Sequence, residues 1–286
     1  MAQSAIDKYF RDRTLVIATR HQKEQVLQPV LEQELGVRVV VPDRFDTDVF
    51  GTFSGEIERT VSPLEAARQK CIAAHKTTGE SLVLASEGSF GAHPVIGFIP
   101  ANEEILLLKD FKNELEIKVK HLSTQTNFIG NEYYDWEAVL YFAVQAKFPS
   151  HGLIIRRSKD DFSDIHKGIT GWDHLKNSFC HFQNKYGKAY IETDMRAMYN
   201  PTRMKVIGEA VQKLINTGHS SCPLCKAPGF DVQRVIKGLP CGQCNTPTQS
   251  PKAYVYKCEV CGHEEERSTL KKKQKEDPMF CDECNP

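Results

Sequence analysis

The sequence lacks the long hydrophobic run that a membrane-spanning helix needs. No stretch of its 286 residues approaches about 18 consecutive apolar residues. The polar segment 1–13 has neither the apolar centre nor the small-residue cleavage site of a signal peptide. We therefore expect a cytoplasmic protein that makes no membrane contact.

A net charge is missing as well. Lysine plus arginine and aspartate plus glutamate number 37 each, so no overall field attracts nucleic acid or an anionic membrane. Any such binding would need a local patch. Hydrophobic residues make up 40% and charged residues 26% of the chain, which is typical of a globular protein with a core of normal size.

The ten cysteines lack the spacing of a disulfide framework. Eight of them form CxxC pairs, a metal-binding pattern: Cys222/Cys225, Cys241/Cys244, Cys258/Cys261 and Cys281/Cys284. Each CxxC turn presents two thiolates, and two turns complete the tetrahedral site that zinc accepts. We predict two structural Zn²⁺ ions whose binding stabilises a region too small for a core of its own.

The cysteine turns can pair in two ways. Sequential pairing joins the first two turns and the last two, whereas cross-braced pairing joins alternate turns. We favour sequential pairing, because residues 254–284 resemble a self-contained ribbon. Four thiolates leave no open position on either ion, which argues against zinc catalysis. The nearby basic run (Lys271, Lys272, Lys273 and Lys275) is typical of a solvated loop, with nucleic-acid contact as the alternative.

Strand and helix patterns alternate before the cysteine region. Apolar runs predict strands over 15–19, 37–41 and 81–85. Helical spacing covers 23–35, and a capping box with proline begins a second helix over 62–78. This alternation predicts an α/β fold with a mostly parallel or mixed sheet and flanking helices.

Further patterns extend this organisation to the cysteine region. Strands are predicted over 95–99, 105–108, 153–155 and 188–192, and helices over 134–148, 172–186 and 200–216. Residues 217–221 predict a linker. The chain then divides into an α/β domain, residues 1–217, and tandem zinc ribbons, residues 218–286. The long connection 43–60, which contains Asp46 and Asp48, has a length typical of functional loops.

Polar residues follow the first and third predicted strands. The first group opens a helix, where free backbone N–H groups suit a phosphate; it comprises Thr19, Arg20, His21 and Lys23. The second group lies at the sheet edge where open α/β folds gather ligands; it comprises Ser86, Glu87 and Ser89. Between them, Glu65 lies in the first turn of the helix over 62–78.

The order of these segments resembles the inosine triphosphate pyrophosphatase and Maf-type superfamily of nucleoside triphosphate pyrophosphatases. That family has an Ala-Thr-x-Asn…Lys turn, then a helix with a glutamate and a terminal Lys-Ala, then an Ala-Asp-Asp-Ser-Gly turn. Thr19 and Lys23 resemble the first element, and Glu65 with Lys70 resembles the second. In the third, Ser86 and Glu87 stand in place of the two aspartates.

This resemblance implies hydrolysis of a nucleotide between its α and β phosphates. Glu65 and Glu87 would hold Mg²⁺, and Lys23 and Arg20 would neutralise phosphate charge. The whole chain also resembles an uncharacterised bacterial family of unknown function. The segments Ala-Thr-Arg-His, Ser-Glu-Gly-Ser-Phe-Gly and Glu-Thr-Asp-Met-Arg-Ala carry that resemblance together with paired C-terminal ribbons. It supports the domain layout and implies no activity.

The predicted site residues have structural alternatives. For Glu65 a capping-box carboxylate is the favoured interpretation, and a metal ligand is the alternative. Asp194, Arg196 and Arg203 either complete a phosphate and metal site or belong to an ion-pair network that locks the last helix to the sheet. The hypotheses are therefore a nucleotide hydrolase with a zinc-ribbon recognition module, a non-catalytic ribbon protein that binds nucleic acid or a protein, and a nucleic-acid-modifying enzyme. The sequence leaves the oligomeric state open.

Overall fold

A computed structural model describes residues 5–19, 21–42, 61–270 and 273–286. The predicted functional loop 43–60, with Asp46 and Asp48, lies outside the described residues. Arg20, Lys271 and Lys272 also lie outside them.

The first sheet has five strands in the order β2-β1-β3-β4-β5. They are β1 (Thr14–Ala18), β2 (Arg38–Val40), β3 (Leu82–Ala92), β4 (Pro100–Asp110) and β5 (Leu115–Ser123). β1 pairs in parallel with β2 and β3, whereas β3, β4 and β5 form an antiparallel meander. The mixed α/β fold predicted from the sequence is therefore confirmed, with parallel pairing confined to β1 and its two neighbours.

Helices cover both faces of this sheet. They are α1 (Ala5–Tyr9), α2 (Glu24–Leu35), α3 (Pro63–Thr78) and α6 (Pro201–His219). Because side chains alternate along a strand, Leu82 and Leu84 of β3 enter a core with α2 and α6, while Val83 and Ala85 enter a second core with α3. The residues that follow Ala85 on β3 therefore also alternate between an α6 side and an α3 side.

A second, antiparallel sheet lies in sequence between β5 and α6. Its strands, in the order β6-β9-β7-β8, are β6 (Gly130–Tyr133), β7 (Leu153–Ser158), β8 (Asp161–Ile169) and β9 (Ala189–Thr193). The helices α4 (Trp136–Gln145) and α5 (Trp172–Tyr186) share its separate hydrophobic core, which includes Phe142, Leu153 and Phe179. The sequence patterns did not predict that these strands form a sheet of their own.

Two local predictions are wrong. Residues 95–99 form no strand; they lie in the connection between β3 and β4, where Val95 and Phe98 are 85% and 88% exposed. The β-branched run therefore occupies a hairpin tip rather than a sheet. The predicted linker over 217–221 begins too early, because α6 continues to His219.

The C-terminal region is a three-stranded antiparallel sheet of β10 (Asp231–Lys237), β11 (Pro251–Lys257) and β12 (Glu264–Ser268). A cysteine turn lies before β10, after β10, between β11 and β12, and near the C-terminus. Among the described residues, no helix combines the length and apolar character needed to cross a bilayer.

Candidate functional site

The eight paired cysteines gather into two groups of four. One, the proximal cluster, is formed by Cys222, Cys225, Cys258 and Cys261. The other, the distal cluster, is formed by Cys241, Cys244, Cys281 and Cys284. In each group the four sulfur atoms lie within 4.8 Å of one another.

The sulfur spacing fits a tetrahedral zinc site. Sγ–Sγ distances across the proximal cluster are 3.8 Å for Cys222–Cys261 and 3.6 Å for Cys225–Cys258. The distal cluster repeats these values. A tetrahedron with Zn–S bonds of about 2.3 Å has edges of about 3.8 Å. Both clusters are therefore compatible with structural Zn²⁺, and neither leaves an open position for catalysis.

The prediction of sequential pairing is wrong, because the first turn joins the third and the second joins the fourth. The strand directions explain this result. Asp231 pairs with Lys257, and Lys257 with Glu264, so the start of β10, the end of β11 and the start of β12 lie at one end of the ribbon. Each strand carries the chain about 20 Å to the opposite end. Consecutive turns consequently lie at opposite ends, and alternate turns meet.

The proximal cluster packs against the first sheet. Its cysteines share a small core with Phe230, and Tyr9 of α1 packs against both this core and the main one. At Gly229, which has a φ of +84°, an added Cβ would come within 2.8 Å of Ile117 on β5. The ribbon is therefore tightly seated on β5 through its proximal end.

A second constellation lies where β1 ends. Lys23 is buried at 3% exposure, and its Nζ donates to Ser86 Oγ at 3.0 Å and to the Ser86 carbonyl at 3.2 Å. The turn after β1 and strand β3 therefore meet as the sequence predicted. Ser86 and Glu87 belong to β3 itself rather than to a turn, since the pairing with β4 extends the strand to Ala92.

Glu87 faces the α3 side of the same strand. Its carboxylate lies 2.5 Å from Lys70 Nζ, and it is only 1% exposed. Glu87 and Lys23 thus lie on different faces of β3. The position of Glu87 and the contact of Lys23 with Ser86 are both beyond Ala85, the last residue of β3 that pairs with β1. Since β1 does not cover this edge of β3, the charge of Glu87 still raises the pKa of the Lys23 amine.

A buried ion pair between β4 and α6 adjoins Lys23. Arg203 Nε donates to Glu104 at 2.7 Å, and both side chains have no exposed surface. The guanidinium also donates to the Met195 carbonyl at 2.6 Å. This pair connects α6 to β4 of the first sheet.

Gly88 lets that ion pair pack directly on the backbone of β3. An added Cβ would lie 2.8 Å from Glu104 Oε1 and would also collide with Arg203 Nη2. Gly88→Ala is therefore expected to lower the free energy of unfolding by about 1–3 kcal/mol, an effect of overpacking. Denaturant unfolding measures the change.

Gly91 on the same strand provides the matched control. An added Cβ there meets nothing within 4 Å, so Gly91→Ala should leave the stability within about 0.5 kcal/mol of the wild type. Equal losses in the two variants would contradict the tight fit at Gly88.

The charges near the end of β1 form a group that we call the cation cluster: Lys23, Lys70, Arg196 and Arg203 around His21. Burial and the charges of Lys23 and Arg203, with smaller effects of Arg196 and Lys70, lower the pKa of His21 to about 3. Burial and Arg203 lower the pKa of Lys23 to about 7, against the opposing effects of Glu104 and Glu87. His21 is therefore neutral near neutral pH, and Lys23 loses its proton far more readily than an ordinary lysine.

Arg196 reaches this group from the segment after β9. Its guanidinium lies 2.6 Å from Asp194, a carboxylate with no exposed surface that also accepts from the Gly168 amide at 3.2 Å. Three carboxylates, Glu87, Glu104 and Asp194, thus pair with three of the four cations.

An open cleft of about 770 Å³ is lined by residues around the β3–β4 connection and by the segment before β6, and Phe90 links it to the cation cluster. Phe128 lines the cleft and contacts Phe90, with ring centres 5.8 Å apart. The Arg203 guanidinium lies 5.1 Å from the Phe90 ring. Phe90 also pairs in register with Asn102, a buried residue whose two amide atoms have no hydrogen-bond partner in the described part of the chain. The aromatic ring of Phe90 therefore lies between the Arg203 guanidinium and the Phe128 ring of the cleft.

Other predicted site residues do not join this group. The Ser62 hydroxyl caps the start of α3 by accepting from the Glu65 amide. The Glu65 carboxylate pairs with Arg68, and 44% of its side chain is exposed. No contact in the described part of the chain links Ser89 to the cation cluster, and Thr19 is buried at the end of β1. The Mg²⁺ pair of Glu65 and Glu87 is therefore not assembled, and Glu87 already pairs with Lys70.

The sequence patterns missed Glu104 and Phe90 and treated Arg203 as part of an alternative. Glu104 lies 99 residues before Arg203, so no local spacing relates the two. The only available signal was a single acidic residue at the start of an apolar strand pattern.

Comparison with curated proteins finds no match for the chain, and the resemblance to nucleoside triphosphate pyrophosphatases gains no support there. A family model matches residues 70–286, from Lys70 in α3 through the ribbon. That model is described as a domain of unknown function (DUF6671), and the chain belongs to this family.

Proposed function

We propose that the cation cluster and the adjoining cleft bind a phosphorylated ligand with a flat apolar group, as in a nucleotide. The observation that carries this proposal is the gathering of four cationic side chains, those of the cation cluster, around His21 at the end of β1. Two of the cations, Lys23 and Arg203, are almost completely buried.

Burial and the charge of Arg203 lower the pKa of Lys23 to about 7. An anion bound beside the amine would favour its protonated form. The position also favours a ligand, because open α/β sheets bind ligands beyond the carboxyl ends of their strands. Perturbed pKa values such as those of His21 and Lys23 are concentrated at functional sites.

The cleft supports the apolar half of the ligand. Phe90 lies next to Arg203, and Phe128 on the cleft wall contacts Phe90. Stacking of a base on such rings is a common mode of recognition. The orphaned amide of Asn102 is a further group that a polar ligand atom or a bound water would satisfy.

Hydrolysis of a phosphoanhydride is the reaction class that we propose for such a ligand. Glu104 and Glu87 are the acidic groups whose charges act on Lys23, and Glu87 is the one that we propose for the reaction, from the α3 side of β3. We derive no magnesium step, since the described carboxylates at this site are paired with cations.

Lys23→Met is expected to abolish the binding of sulfate and of nucleoside triphosphates in calorimetric titrations. It removes the protonated amine while keeping the length of the side chain. Lys76→Met, at an exposed position near the end of α3, is the control and should bind like the wild type. Equal affinity in both variants would exclude the cation cluster as the binding site.

Sulfate binding is also expected to weaken as the pH rises through about 7, because Lys23 then loses its proton. The charge of sulfate is constant near neutral pH, so this dependence reports on the protein. The charged and polar groups that face Lys23 are His21 in its turn, Ser86 and Glu87 on β3, Lys70 on α3, Glu104 on β4 and Arg203 on α6. A pH-independent affinity would contradict the role assigned to Lys23.

Turnover separates the enzyme from a binding module. The full chain is mixed with a nucleotide panel and Mg²⁺, and release of phosphate or pyrophosphate is measured. Release that Glu87→Gln abolishes while binding persists would support hydrolysis. Tight binding without release would leave a ligand-binding protein.

The ribbon supports a second candidate function, recognition of another macromolecule. Met279 and Phe280, beside the distal cluster, are 61% and 59% exposed, which suits an apolar protein surface. Lys273 is already paired with Glu276 at 2.5 Å, which weakens the case for nucleic acid. Salt-sensitive binding of RNA or DNA that requires the ribbon would reverse that preference.

A further inference from the structure

A third group of metal-ligand side chains lies on the second sheet, apart from the cysteine clusters and the cation cluster. Asp164 and His166 of β8 meet His181 of α5, and one ligand atom from each lies within 4.8 Å of the others. Alternation along a strand places Asp164 and His166 on one face. β8 ends the described sheet order, so this group lies at a sheet edge.

The spacing is close to what one ion requires. Metal–ligand bonds of about 2.0–2.2 Å for histidine nitrogen and carboxylate oxygen place neighbouring ligand atoms about 3–3.5 Å apart. His181 Nε2 and Asp164 Oδ2 are 3.4 Å apart. Small side-chain rotations would bring the third ligand to the same distance.

The surroundings hold the histidine rings in place. His166 Nδ1 lies 2.9 Å from the Ser178 hydroxyl of α5. The His166 and His181 rings stack with centres 5.3 Å apart, and the Phe182 ring packs edge-on against both. Metal-binding histidines are commonly oriented by such neighbouring contacts, which fix the ring before the ion arrives.

A lysine partly neutralises the carboxylate of this group. Lys185 Nζ and the Tyr186 hydroxyl both donate to Asp164 Oδ2, at 2.8 Å and 2.9 Å. Oδ1 of Asp164 has no partner among the described residues. The lysine side chain is 53% exposed, so it could swing into solvent when an ion binds, and the other carboxylate oxygen would remain available to the metal.

From this geometry we propose that Asp164, His166 and His181 form a binding site for a divalent first-row transition metal ion. Two imidazoles and one carboxylate suit Zn²⁺, Co²⁺ or Ni²⁺ better than Mg²⁺ or Ca²⁺. Three protein ligands leave at least one coordination position for water, unlike the two cysteine clusters. The side chain of His181 is 45% exposed, so solvent and the ion can reach the site.

Cobalt titration of the full chain tests the site while both cysteine clusters hold zinc. Co²⁺ binds nitrogen, oxygen and sulfur sites more weakly than Zn²⁺, so it leaves the thiolate sites occupied. We expect one further equivalent of Co²⁺ by calorimetry, with a visible spectrum that lacks the thiolate charge-transfer bands. His181→Asn and His166→Asn should each weaken this binding by at least about tenfold.

Lys185→Gln separates a metal site from a purely structural network. It removes the cation that competes for Asp164, so the affinity for Co²⁺ should rise, whereas a structural network would show only a lower melting temperature. His219→Asn, which changes an exposed histidine at the end of α6, should leave binding unchanged. The proposal is overturned if no further equivalent binds, or if the His166 and His181 variants bind as the wild type does.

Discussion

Serine in place of Cys258 is expected to release the proximal zinc ion and to destabilise the whole chain, whereas serine in place of Cys281 should affect the distal end alone. Both cysteines are 2% exposed and occupy equivalent places in their clusters. Within the described ranges, it is the proximal cluster that shares its core with Phe230 and contacts Tyr9 of the α/β part.

The expected size of the effect follows from the metal. Structural zinc contributes about 10–16 kcal/mol to the folding of small zinc domains, and we expect Cys258→Ser to forfeit more than about 5 kcal/mol of that stabilisation. Metal analysis should find one zinc ion per chain in either variant. Hydrogen exchange on β5 and α1 should accelerate only in Cys258→Ser.

Cys180→Ser serves as the control, because Cys180 is an exposed thiol outside both clusters. It should retain two zinc ions and the wild-type melting temperature. If Cys258→Ser and Cys281→Ser changed exchange on β5 equally, the proximal cluster could not be the one that supports the first sheet.

Glu104→Gln is expected to lower the free energy of unfolding by about 3–5 kcal/mol. It leaves the Arg203 guanidinium buried without its countercharge, and breaking a buried pair from one side has a cost of this size. Urea denaturation measures the loss. Glu103→Gln is the matched control, because the Lys120 partner of Glu103 is 64% exposed and such surface pairs contribute about 0–1 kcal/mol.

The double variant Glu104→Leu with Arg203→Met should regain most of that stability, since apolar replacements of a buried pair are often neutral. It should still bind anions more weakly, because the cation cluster has lost Arg203. A double variant as unstable as Glu104→Gln would show that packing around α6, rather than uncompensated charge, dominates the loss.

The sequence allowed the metal ligands to be predicted but not their pairing. CxxC spacing is a local property, and it identified all eight cysteines. Which turns meet depends on the directions of β10, β11 and β12, and those directions follow from long-range pairing. The expectation that residues 254–284 form a closed ribbon failed because β11 returns to the first cysteine turn.

The cation cluster was partly predictable for a similar reason. Lys23 follows β1, and Ser86 lies directly beyond the part of β3 that pairs in parallel with β1. The rule that the ends of parallel strands converge therefore brought them together. The sequence analysis grouped Glu87 with Lys23 in one site. In the structure β3 continues past the end of β1, and the alternation of side chains along β3 places Glu87 on the α3 side. Glu104 and Arg203 meet only through tertiary packing, which no short pattern encodes.

The order of elements also constrains how the chain can fold during synthesis. Ile207, Val211 and Leu214 of α6 complete the apolar core above β4 and β5, yet the second sheet is translated between β5 and this helix. Ribosomes add about 5–20 residues per second. The apolar face of β4 and β5 that α6 covers in the folded chain is therefore exposed for several seconds during synthesis. A chaperone that shields exposed strands would protect the chain during this interval, until the emerging helix closes over the sheet.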